Sequence, residues 1–400
     1  MQVSSEDRQF MAQAIELARQ GVSLASPNPH VGAVVLDGQG KIRGTGFHTY
    51  ADLKHGEALA LERAGTLARG GTLYVNLEPC CHQGRTGPCT DAIIAAGVKR
   101  VVAATVDPNP LVAGNGIEKL RIAGIIVETG LMQAEAQKLN EAFAKYIRYR
   151  QPLITLKSAL TLDGKIAAPQ NDNRGRSAPG EQASTSSSWI TGDEARAHVQ
   201  MLRHESDAIM VGVGTVLADD PLLTDRTGRP RRRNLLRVIL DSRLHLPIES
   251  RLVKTVQGNN DVLVFCSFAE EKKRRALEER GVRVEQVPLG VGDGRPDLVA
   301  VAKRLGALEI TSLLIEGGAM VNWTALASGI ADKVFLYYAP RILGGSDSIP
   351  FAGGRGFQRM ADAARIRDIS IHRFGDDFAV EGYLRDPWEA PTDPIAREKN

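Results

Sequence analysis

Apolar and polar positions along the first half of the chain follow helical and strand spacings in turn. A cap-like Ser4-x-x-Asp7 begins a pattern of apolar residues at helical spacing that ends at Gly21. Residues 31–47 contain two apolar runs joined by an Asp-Gly turn, which predicts a β-hairpin. Helical and strand patterns alternate up to Arg150, which predicts an α/β domain with three layers around a mostly open sheet. The further predicted elements are helices over His55–Ala64, Pro88–Ala96 and Met132–Arg150, and strands over Thr72–Leu77 and Val101–Val106.

The second half begins a new alternating set of elements after Gln151-Pro152, which we take as the domain boundary. Pro169–Ser188 is rich in Gly, Ser, Asn and Gln and predicts a long flexible surface loop. The sequence therefore predicts two α/β domains, over residues 1–150 and 151–387, followed by a loose polar tail over 388–400. Predicted strands lie near Leu153–Ala159, Ala208–Val211, Val238–Leu240, Val262–Phe265, Val282–Val287, Leu313–Ile315 and Val334–Tyr338.

Composition and charge are those of an ordinary globular protein. The 400 residues are 43% hydrophobic and 24% charged, with a formal net charge of +3. Charges of opposite sign are interspersed, so the sequence predicts neither a nucleic-acid partner nor a membrane surface. The basic run Arg229–Arg233 favours a solvated loop, with nucleic-acid contact as the alternative. No apolar stretch could span a bilayer and the N-terminus has no signal pattern, so we expect a cytoplasmic protein.

The first half holds the residue types of a zinc site. His55, Cys80 and Cys89 could supply the three protein ligands of a catalytic zinc, which leaves a fourth position for water. Glu57 follows His55 by two residues and could move a proton between that water and a leaving amine. This combination matches the chemistry of zinc deaminases, although the second cysteine comes nine residues after the first.

Other interpretations of these residues stay open at this point. The cysteines could be buried thiols without a metal, or Cys81 or His82 could close a structural zinc site. Cys266 lies in an apolar run and is predicted to be a buried thiol. Prolines on both sides of Asn28 hold its amide stiffly, which suits a substrate hydrogen bond or a plain turn.

Glycines and arginines in the second half suggest a site for phosphate groups. The sequence holds no G-x-G-x-x-G there, so a Rossmann cofactor site is not supported. Gly317-Gly318 instead lies between a strand and a helical pattern over Ala319–Ala327, where bare N–H groups suit a phosphate. Asp219-Asp220 with Arg203 and Arg226 suits ribose and phosphate, or forms surface ion pairs. Lys157 and Asp163, on either side of a predicted turn, could be structural.

These motifs together resemble, nearly end to end, the bifunctional riboflavin-biosynthesis deaminase/reductase family. In the first half the resemblance rests on the motifs Pro27-Asn28-Pro29-x-Val31-Gly32, His55-x-Glu57 and Leu77-Glu78-Pro79-Cys80-x-His82-x-Gly84-Arg85-Thr86-x-Pro88-Cys89. In the second half it rests on Lys157-x-Ala159-x-Thr161-Leu162-Asp163-Gly164, Trp189-Ile190-Thr191, Ser206-Asp207-Ala208-Ile209, the run from Gly214 to Arg226, Asp241-Ser242 and Glu316-Gly317-Gly318.

The resemblance implies a cytidine-deaminase-like domain followed by a dihydrofolate-reductase-like domain. It implies zinc-dependent deamination of a diaminopyrimidinone ribosyl phosphate, and then NADPH-dependent reduction of the ribosyl group to a ribityl chain. Zinc would lie on His55, Cys80 and Cys89, and Glu57 would move the proton. The residues implied for NADPH are Ala159, Trp189, Thr215, Asp219, Ser242, Gly318, Ala319, Met320, Val321, Asn322, Trp323 and Thr324. The residues implied for the substrate are Ser187, Arg203, Leu223, Arg226 and Glu316, beside Asn28. We also expect a homodimer.

Two departures from the family pattern lie beside the predicted zinc site. Gly56 stands where the family usually has alanine, and Ala51–Lys54 replaces a glycine-containing segment. Glycine weakens a helix by roughly 0.5–1 kcal/mol relative to alanine, so Gly56 predicts a looser site. The alternatives are a reductase with an impaired deaminase domain, a nucleic-acid base deaminase with an appended domain, and a pyrimidine or nucleotide sensor without turnover.

Overall fold

The structure, a computed structural model, describes residues 4–83, 87–169, 189–258, 261–290 and 294–389. The chain divides into two compact units. Unit 1 comprises Met1–Gln151, Pro230–Arg233 and Pro387–Asn400, and unit 2 comprises Pro152–Arg229 and Asn234–Asp386. Residues 170–188 of the predicted loop Pro169–Ser188, which include Ser187, and residues 390–400 of the predicted tail at 388–400 lie outside the described residues.

Unit 1 is a three-layer α/β arrangement, as the alternating pattern predicts. Its sheet has the strand order β2-β1-β3-β4-β5, in which β1 pairs antiparallel with both neighbours and β3, β4 and β5 run parallel. One buried cluster lies between this sheet and α1 and α5, and another lies between the sheet and α2, α3 and α4. The elements are α1 Ser5–Arg19, β1 Gly32–Leu36, β2 Ile42–Phe47, α2 Gly56–Ala64, β3 Thr72–Val75, α3 Cys89–Ala96, β4 Arg100–Ala103, α4 Asn115–Ile122, β5 Ile126–Thr129, α5 Gln133–Leu139 and α6 Glu141–Tyr149.

The single helix predicted over 132–150 is wrong, because two helices meet at Asn140. The Asn140 side chain is buried and forms hydrogen bonds with both the N–H and the carbonyl of His30. Its Oδ1 accepts from the His30 N–H at 2.8 Å, and its Nδ2 donates to the His30 carbonyl at 3.0 Å. Asparagine competes with the backbone for hydrogen bonds and favours helix ends. The helix therefore breaks where the asparagine pairs with a distant segment.

Unit 2 is built on a nine-stranded sheet with the order β11-β10-β9-β8-β12-β6-β13-β16-β15. The strands from β11 to β13 in this order run parallel, and β16 and β15 add an antiparallel edge. The sequence does not predict the β15–β16 hairpin. The strands are β6 Leu153–Thr161, β7 Lys165–Ala167, β8 Ala208–Gly212, β9 Leu236–Leu240, β10 Val262–Cys266, β11 Arg283–Gln286, β12 Ser312–Ile315, β13 Lys333–Ala339, β14 Ile349–Pro350, β15 Arg367–Phe374 and β16 Asp377–Tyr383.

Helices cover the sheet of unit 2 on both faces. One buried cluster joins α11 and α12 to the sheet, and a second joins α8, α9 and α10 to it. These helices are α7 Asp193–Glu205, α8 Val213–Asp219, α9 Arg251–Lys254, α10 Glu271–Glu278, α11 Leu298–Ala307 and α12 Ala319–Ala327. Cys266 is fully buried at the end of β10, as predicted. Across the described ranges of both units, every helix is too short or too polar to cross a membrane.

Candidate zinc centre and reductase site

Three separate segments of unit 1 bring His55, Cys80 and Cys89 together. His55 directly precedes α2, Cys89 is the first residue of α3, and Cys80 lies in the segment that follows β3. Nδ1 of His55 lies 3.5 Å from Sγ of Cys80 and 3.3 Å from Sγ of Cys89. The three ligand atoms all lie within 4.8 Å of one another.

This arrangement fits zinc. A tetrahedral zinc with Zn–N and Zn–S bonds of normal length holds a nitrogen and a sulfur ligand about 3.5 Å apart, close to the two separations between His55 and the cysteines. Three protein ligands leave the fourth position that a catalytic site needs. Within the described residues neither Cys81 nor His82 belongs to this group, and His82 is exposed. The donor set is therefore that of a catalytic rather than a closed structural site.

The pKa values of the three side chains depend on one another, and the hydrogen bond to Cys80 together with burial raises the pKa of the Cys89 thiol. The hydrogen bond with Cys89, followed by the one with His55, lowers the pKa of the Cys80 thiol to about 4. The hydrogen bond to Cys80 raises the pKa of His55 to about 9. Cys80 is thus the thiolate of the group, and a thiolate is the form that binds metal.

Glu57 is a buried carboxyl group beside these ligands. Its side chain is 3% exposed, and burial is the main reason that its pKa rises to about 7. Its Oε2 is buried and has no hydrogen-bond partner among the described residues. A carboxyl group with a pKa near neutrality can both accept and return a proton.

Asn28 and His48 form a hydrogen-bonded pair next to His55. Nδ2 of Asn28 lies 3.0 Å from Nε2 of His48, and Nδ1 of His48 lies 3.0 Å from the Lys54 carbonyl. Because a carbonyl only accepts, Nδ1 donates, and Nε2 then accepts from the Asn28 amide. The His48 ring lies 5.1 Å from the His55 ring. The sequence does not single out His48, since a lone histidine has no diagnostic spacing.

Asp107 is a second residue near the zinc ligands that sequence patterns do not reveal. It follows β4, is 8% exposed, and has a pKa raised to about 7, mainly by burial. Glu78 fixes this loop, because its Oε2 accepts from the N–H groups of Asp107 and Gly114 at 3.0 and 2.9 Å. The Asp-Pro-Asn-Pro sequence at 107–110 is the one signal that could have pointed to it.

The expectation that Gly56 loosens the site is not supported by its packing. A Cβ at residue 56 would lie 2.8 Å from the carbonyl oxygen of Val31 and 3.3 Å from that of Gly46. Glycine therefore allows the first turn of α2 to lie directly against backbone, and alanine would push it away. Of the Ala51–Lys54 segment, Lys54 supports the site through its carbonyl bond to His48.

In unit 2 the predicted substrate residues Arg203 and Glu316 form a bidentate ion pair. Nε of Arg203 donates to Oε1 of Glu316 at 2.7 Å, and Nη2 donates to Oε2 at 3.0 Å. Lys157 Nζ lies 3.4 Å from the same Oε2. Burial alone would raise the pKa of Glu316, but Lys157 and Arg203 outweigh it and hold the pKa at about 2. The carboxylate is thus fixed in its ionised form. Lys157 lies within β6 rather than at a turn, and its side chain helps to hold that charge.

Two further predicted substrate residues, Leu223 and Arg226, lie in the segment that follows α8. Leu223 is buried with a positive φ of 53°, and the next residue, Thr224, accepts a hydrogen bond from Arg203 Nη1 at 3.1 Å. Arg226 is exposed, and its backbone N–H donates to Gln200 at 3.1 Å. Because the Arg203 guanidinium is already paired with Glu316, Arg226 is the better placed of the two arginines for a phosphate.

Most of the predicted NADPH residues lie at or after the ends of four neighbouring parallel strands. Ala159 lies near the end of β6, and the segments after β8, β9 and β12 hold the others except Trp189, which precedes α7. Thr215 is adjacent to Gly318, whose Cβ position lies 3.6 Å from the Thr215 hydroxyl. Ligands of open parallel sheets bind at the carboxyl ends of strands, and bare glycine N–H groups at the start of α12 suit a phosphate.

Two further NADPH predictions have distinct surroundings. Trp189 is 51% exposed, and the Arg196 guanidinium lies 5.2 Å from its ring centre. Asn322 is fully buried, and its Oδ1 has no hydrogen-bond partner in the described part of the chain. The segments after these strands therefore offer glycine N–H groups and hydroxyls, which fit the phosphate and ribose groups of a dinucleotide.

The basic run Arg229–Arg233 is not a solvated loop throughout. Pro230–Arg233 packs as part of unit 1. Arg231, Arg232 and Arg233 are partly buried, and only Arg229 and Pro230 are exposed. The preferred interpretation as a solvated loop thus holds for Arg229 and Pro230, whereas the three arginines after them are partly buried and less accessible to the alternative partner, a nucleic acid.

Comparison with known protein families matches each half of the chain separately. Residues 4–105 match the cytidine and deoxycytidylate deaminase zinc-binding region, and residues 152–380 match the RibD C-terminal domain. The two α/β units are accordingly a cytidine-deaminase-like and a dihydrofolate-reductase-like domain, as the sequence predicts.

Similar proteins cover nearly the whole chain. The riboflavin biosynthesis protein RibD of Aquifex aeolicus is 41% identical over 94% of this chain and 97% of its own length. A solved structure of Acinetobacter baumannii RibD is 36% identical, with a TM-score of 0.78 over 94% of this chain and 98% of that one. The Thermotoga maritima diaminohydroxyphosphoribosylaminopyrimidine deaminase/5-amino-6-(5-phosphoribosylamino)uracil reductase is 36% identical, with a TM-score of 0.76 and the same coverage. With the zinc ligands in the first half and the Glu316 site in the second, the chain belongs to the RibD family of bifunctional riboflavin-biosynthesis enzymes.

Proposed function

We propose that this enzyme deaminates 2,5-diamino-6-ribosylamino-4(3H)-pyrimidinone 5′-phosphate and then reduces the ribosyl group of the product to ribityl with NADPH. We assign the deamination to residues 1–150 and the reduction to residues 151–387. The observation that carries the proposal is the presence, in one chain, of the His55, Cys80 and Cys89 group with Glu57 beside it and the ionised Glu316 held by two cations.

In the deaminase site, bound zinc would supply an activated water as nucleophile. The ligands would be His55, Cys80 and Cys89. Glu57 takes a proton from the water and delivers it to the departing amino nitrogen, which leaves as ammonia. Its burial and its pKa of about 7 support this two-way role. Asn28 orients the substrate, because its Nδ2 is fixed by His48 and its Oδ1 can accept from a substrate amino group.

The reductase site would act on the imine form of the ribosyl group, in which the C1′–O4′ bond has opened and the proton of the amine nitrogen has passed to O4′. When bound, NADPH would supply a hydride to C1′ of this imine, and the imine nitrogen takes a proton from solvent. The cofactor would lie along Ala159, Thr215, Ser242 and the start of α12. Glu316 and Lys157 offer a fixed negative and positive charge to the substrate, and Arg226 offers its guanidinium to the phosphate. Ser187 is assigned to the substrate by family resemblance alone.

The deciding experiment measures ammonia release from the diaminopyrimidinone ribosyl phosphate by zinc-loaded enzyme without NADPH. We expect release, followed by NADPH oxidation once the cofactor is added. If ammonia appears only after reduction, the order of the two steps is wrong. If neither ammonia release nor NADPH oxidation occurs with this substrate, the proposed reaction is overturned.

We further propose that the enzyme is a homodimer in the cytoplasm. β15 is the outer strand of its sheet, and Ile369 and Ile371 on one of its faces are 58% and 69% exposed. An exposed apolar edge strand favours pairing with another strand. The thiols of Cys80 and Cys89 must stay reduced to bind zinc, which suits a reducing compartment. Light scattering in solution tests the dimer, and the mass of a single chain would exclude it.

A further inference from the structure

Arg232 joins two segments of unit 1 that are far apart in sequence. Its backbone N–H donates to the Ser23 carbonyl at 2.9 Å, and its Nη1 donates to the Ser26 carbonyl. Its guanidinium carbon lies 3.3 Å from the centre of the Tyr50 ring. A cation packed on an aromatic face is attracted by the ring. Arg232 therefore holds the 23–26 segment on one side and Tyr50 on the other.

Arg233 adds a second contact to the same segment. Its Nη2 donates to the Ser26 hydroxyl at 3.1 Å. The two segments also touch directly, because the Tyr50 N–H donates to the Leu24 carbonyl at 3.0 Å. The arginines thus reinforce an existing contact rather than create a new one.

The two segments that Arg232 holds together, which we call the brace, lead directly to Asn28 and His48, the hydrogen-bonded pair beside His55. Asn28 lies two residues after Ser26, and its N–H donates to the Ala25 carbonyl at 3.0 Å, so the braced segment ends in the turn that presents it. His48 lies two residues before Tyr50. A displacement of either segment changes the distance between the Asn28 amide and the His48 ring.

We infer that Arg232, supported by Arg233, is a positioning residue for deamination. It fixes the Asn28–His48 pair beside the zinc ligands without touching the substrate. This inference rests on the proposed deaminase function for its catalytic consequence, but the brace itself can be measured independently. Arg232 lies in sequence between β8 and β9 of unit 2, and it thereby helps to set the geometry of the deaminase site.

The test uses the full-length, zinc-loaded enzyme and compares Arg232→Ala with Arg229→Ala. Arg229 lies in the same basic run and is the matched control. It is exposed, and its backbone N–H, not its side chain, donates to the Thr227 hydroxyl. We expect Arg232→Ala to lower kcat/KM for ammonia release by up to roughly 100-fold, the size of loss that a misplaced site produces. Zinc content and NADPH oxidation on the deaminated intermediate should match wild type. Arg232→Lys should recover part of the loss, since it keeps a cation over the ring.

Tyr50→Leu removes the aromatic ring on which Arg232 packs. This variant replaces Arg232→Ala in the test if Arg232→Ala folds poorly. The two losses should not add in the double variant, because both remove one interaction. Hydrogen exchange of the peptide over 23–50 should quicken in Arg232→Ala and not in Arg229→Ala. Unchanged exchange, or equal kcat/KM in the two arginine variants, overturns the inference. Failure of wild type to release ammonia overturns the proposed function instead, and faster exchange in Arg232→Ala would then still support the brace.

Discussion

Arg203 and Glu316 form a bidentate ion pair, with N–O distances of 2.7 and 3.0 Å, in the predicted reductase site. Removing one partner of a buried pair leaves an uncompensated charge and costs roughly 3–5 kcal/mol of stability. Because Lys157 still lies 3.4 Å from Glu316, we expect Arg203→Met to destabilise unit 2 by the lower end of that range and to abolish NADPH oxidation. Arg203→Lys keeps the charge but loses the bidentate geometry. It should therefore lower the unfolding free energy less than Arg203→Met does, while NADPH oxidation stays slow. Chemical denaturation and NADPH oxidation measure the two effects.

The same pair predicts how stability depends on pH. The pKa of Glu316 lies at about 2 in the folded protein, below its ordinary value of 4.5, because Lys157 and Arg203 outweigh the effect of burial. A depressed carboxyl pKa adds stability above the unfolded pKa, and that stability is lost as the pH falls from about 4.5 toward about 2. The difference in unfolding free energy between wild type and Glu316→Gln should therefore shrink over this window. A difference that stays constant from neutral pH down to pH 3 would contradict the assignment.

Glu57→Gln separates the two proposed activities. Glutamine keeps the shape of the side chain but cannot move a proton, so ammonia release should fall by at least about 100-fold. Zinc content and NADPH oxidation on the deaminated intermediate should stay at the wild-type level, because Glu316 and its cations lie in the other unit. Simultaneous loss of both activities with zinc still bound would show that the sites are not independent.

Gly56→Ala tests whether glycine loosens or completes the zinc site. Alanine favours a helix by roughly 0.5–1 kcal/mol, whereas its Cβ would meet the Val31 carbonyl at 2.8 Å. Overpacking typically costs roughly 1–3 kcal/mol, so we expect a net loss of stability and weaker zinc binding. Gly38→Ala is the control, because its Cβ would meet its nearest neighbour at an ordinary 3.7 Å. A more stable Gly56→Ala enzyme with faster ammonia release would restore the impaired-deaminase alternative.

The adjacent cysteines Cys80 and Cys81 should behave differently. Cys80→Ser should lower zinc content and stop ammonia release, because it removes the thiolate of the group. Cys81→Ser should leave both unchanged, since Cys81 lies outside the cluster in the described residues. A chelator should abolish ammonia release and leave NADPH oxidation intact. Metal analysis on the two variants checks the assignment directly.

Local patterns predict most of unit 1 and the strands of the parallel sheet. The Ser4 and Asp7 capping box, the β1–β2 hairpin and the glycine turn before α12 each depend on a few neighbouring residues. The spacing of His55, Cys80 and Cys89 likewise shows which residues could share a metal, and the fold brings them together.

Features that depend on distant partners could not be predicted in this way. Asn140 breaks a helix because it pairs with His30, which is 110 residues away. β15 has mostly exposed side chains, so it lacks the buried alternation that marks a strand. The arginine run has the composition of a solvated loop, and only the structure shows Arg232 against Tyr50. His48 and Asp107 acquire their positions through hydrogen bonds to loops, and no sequence spacing signals those bonds.

The pairing of Asn140 with His30 has a consequence for protein synthesis. His30 directly precedes the residues that lead into β1, and its backbone N–H and carbonyl are both taken by the Asn140 side chain. Buried backbone groups need a partner, and this partner is made 110 residues later. The His30 N–H therefore gains this partner only after the ribosome has extended the chain past residue 140 and that residue has left the exit tunnel, whereas the His30 carbonyl can be met earlier by the Asn76 side chain.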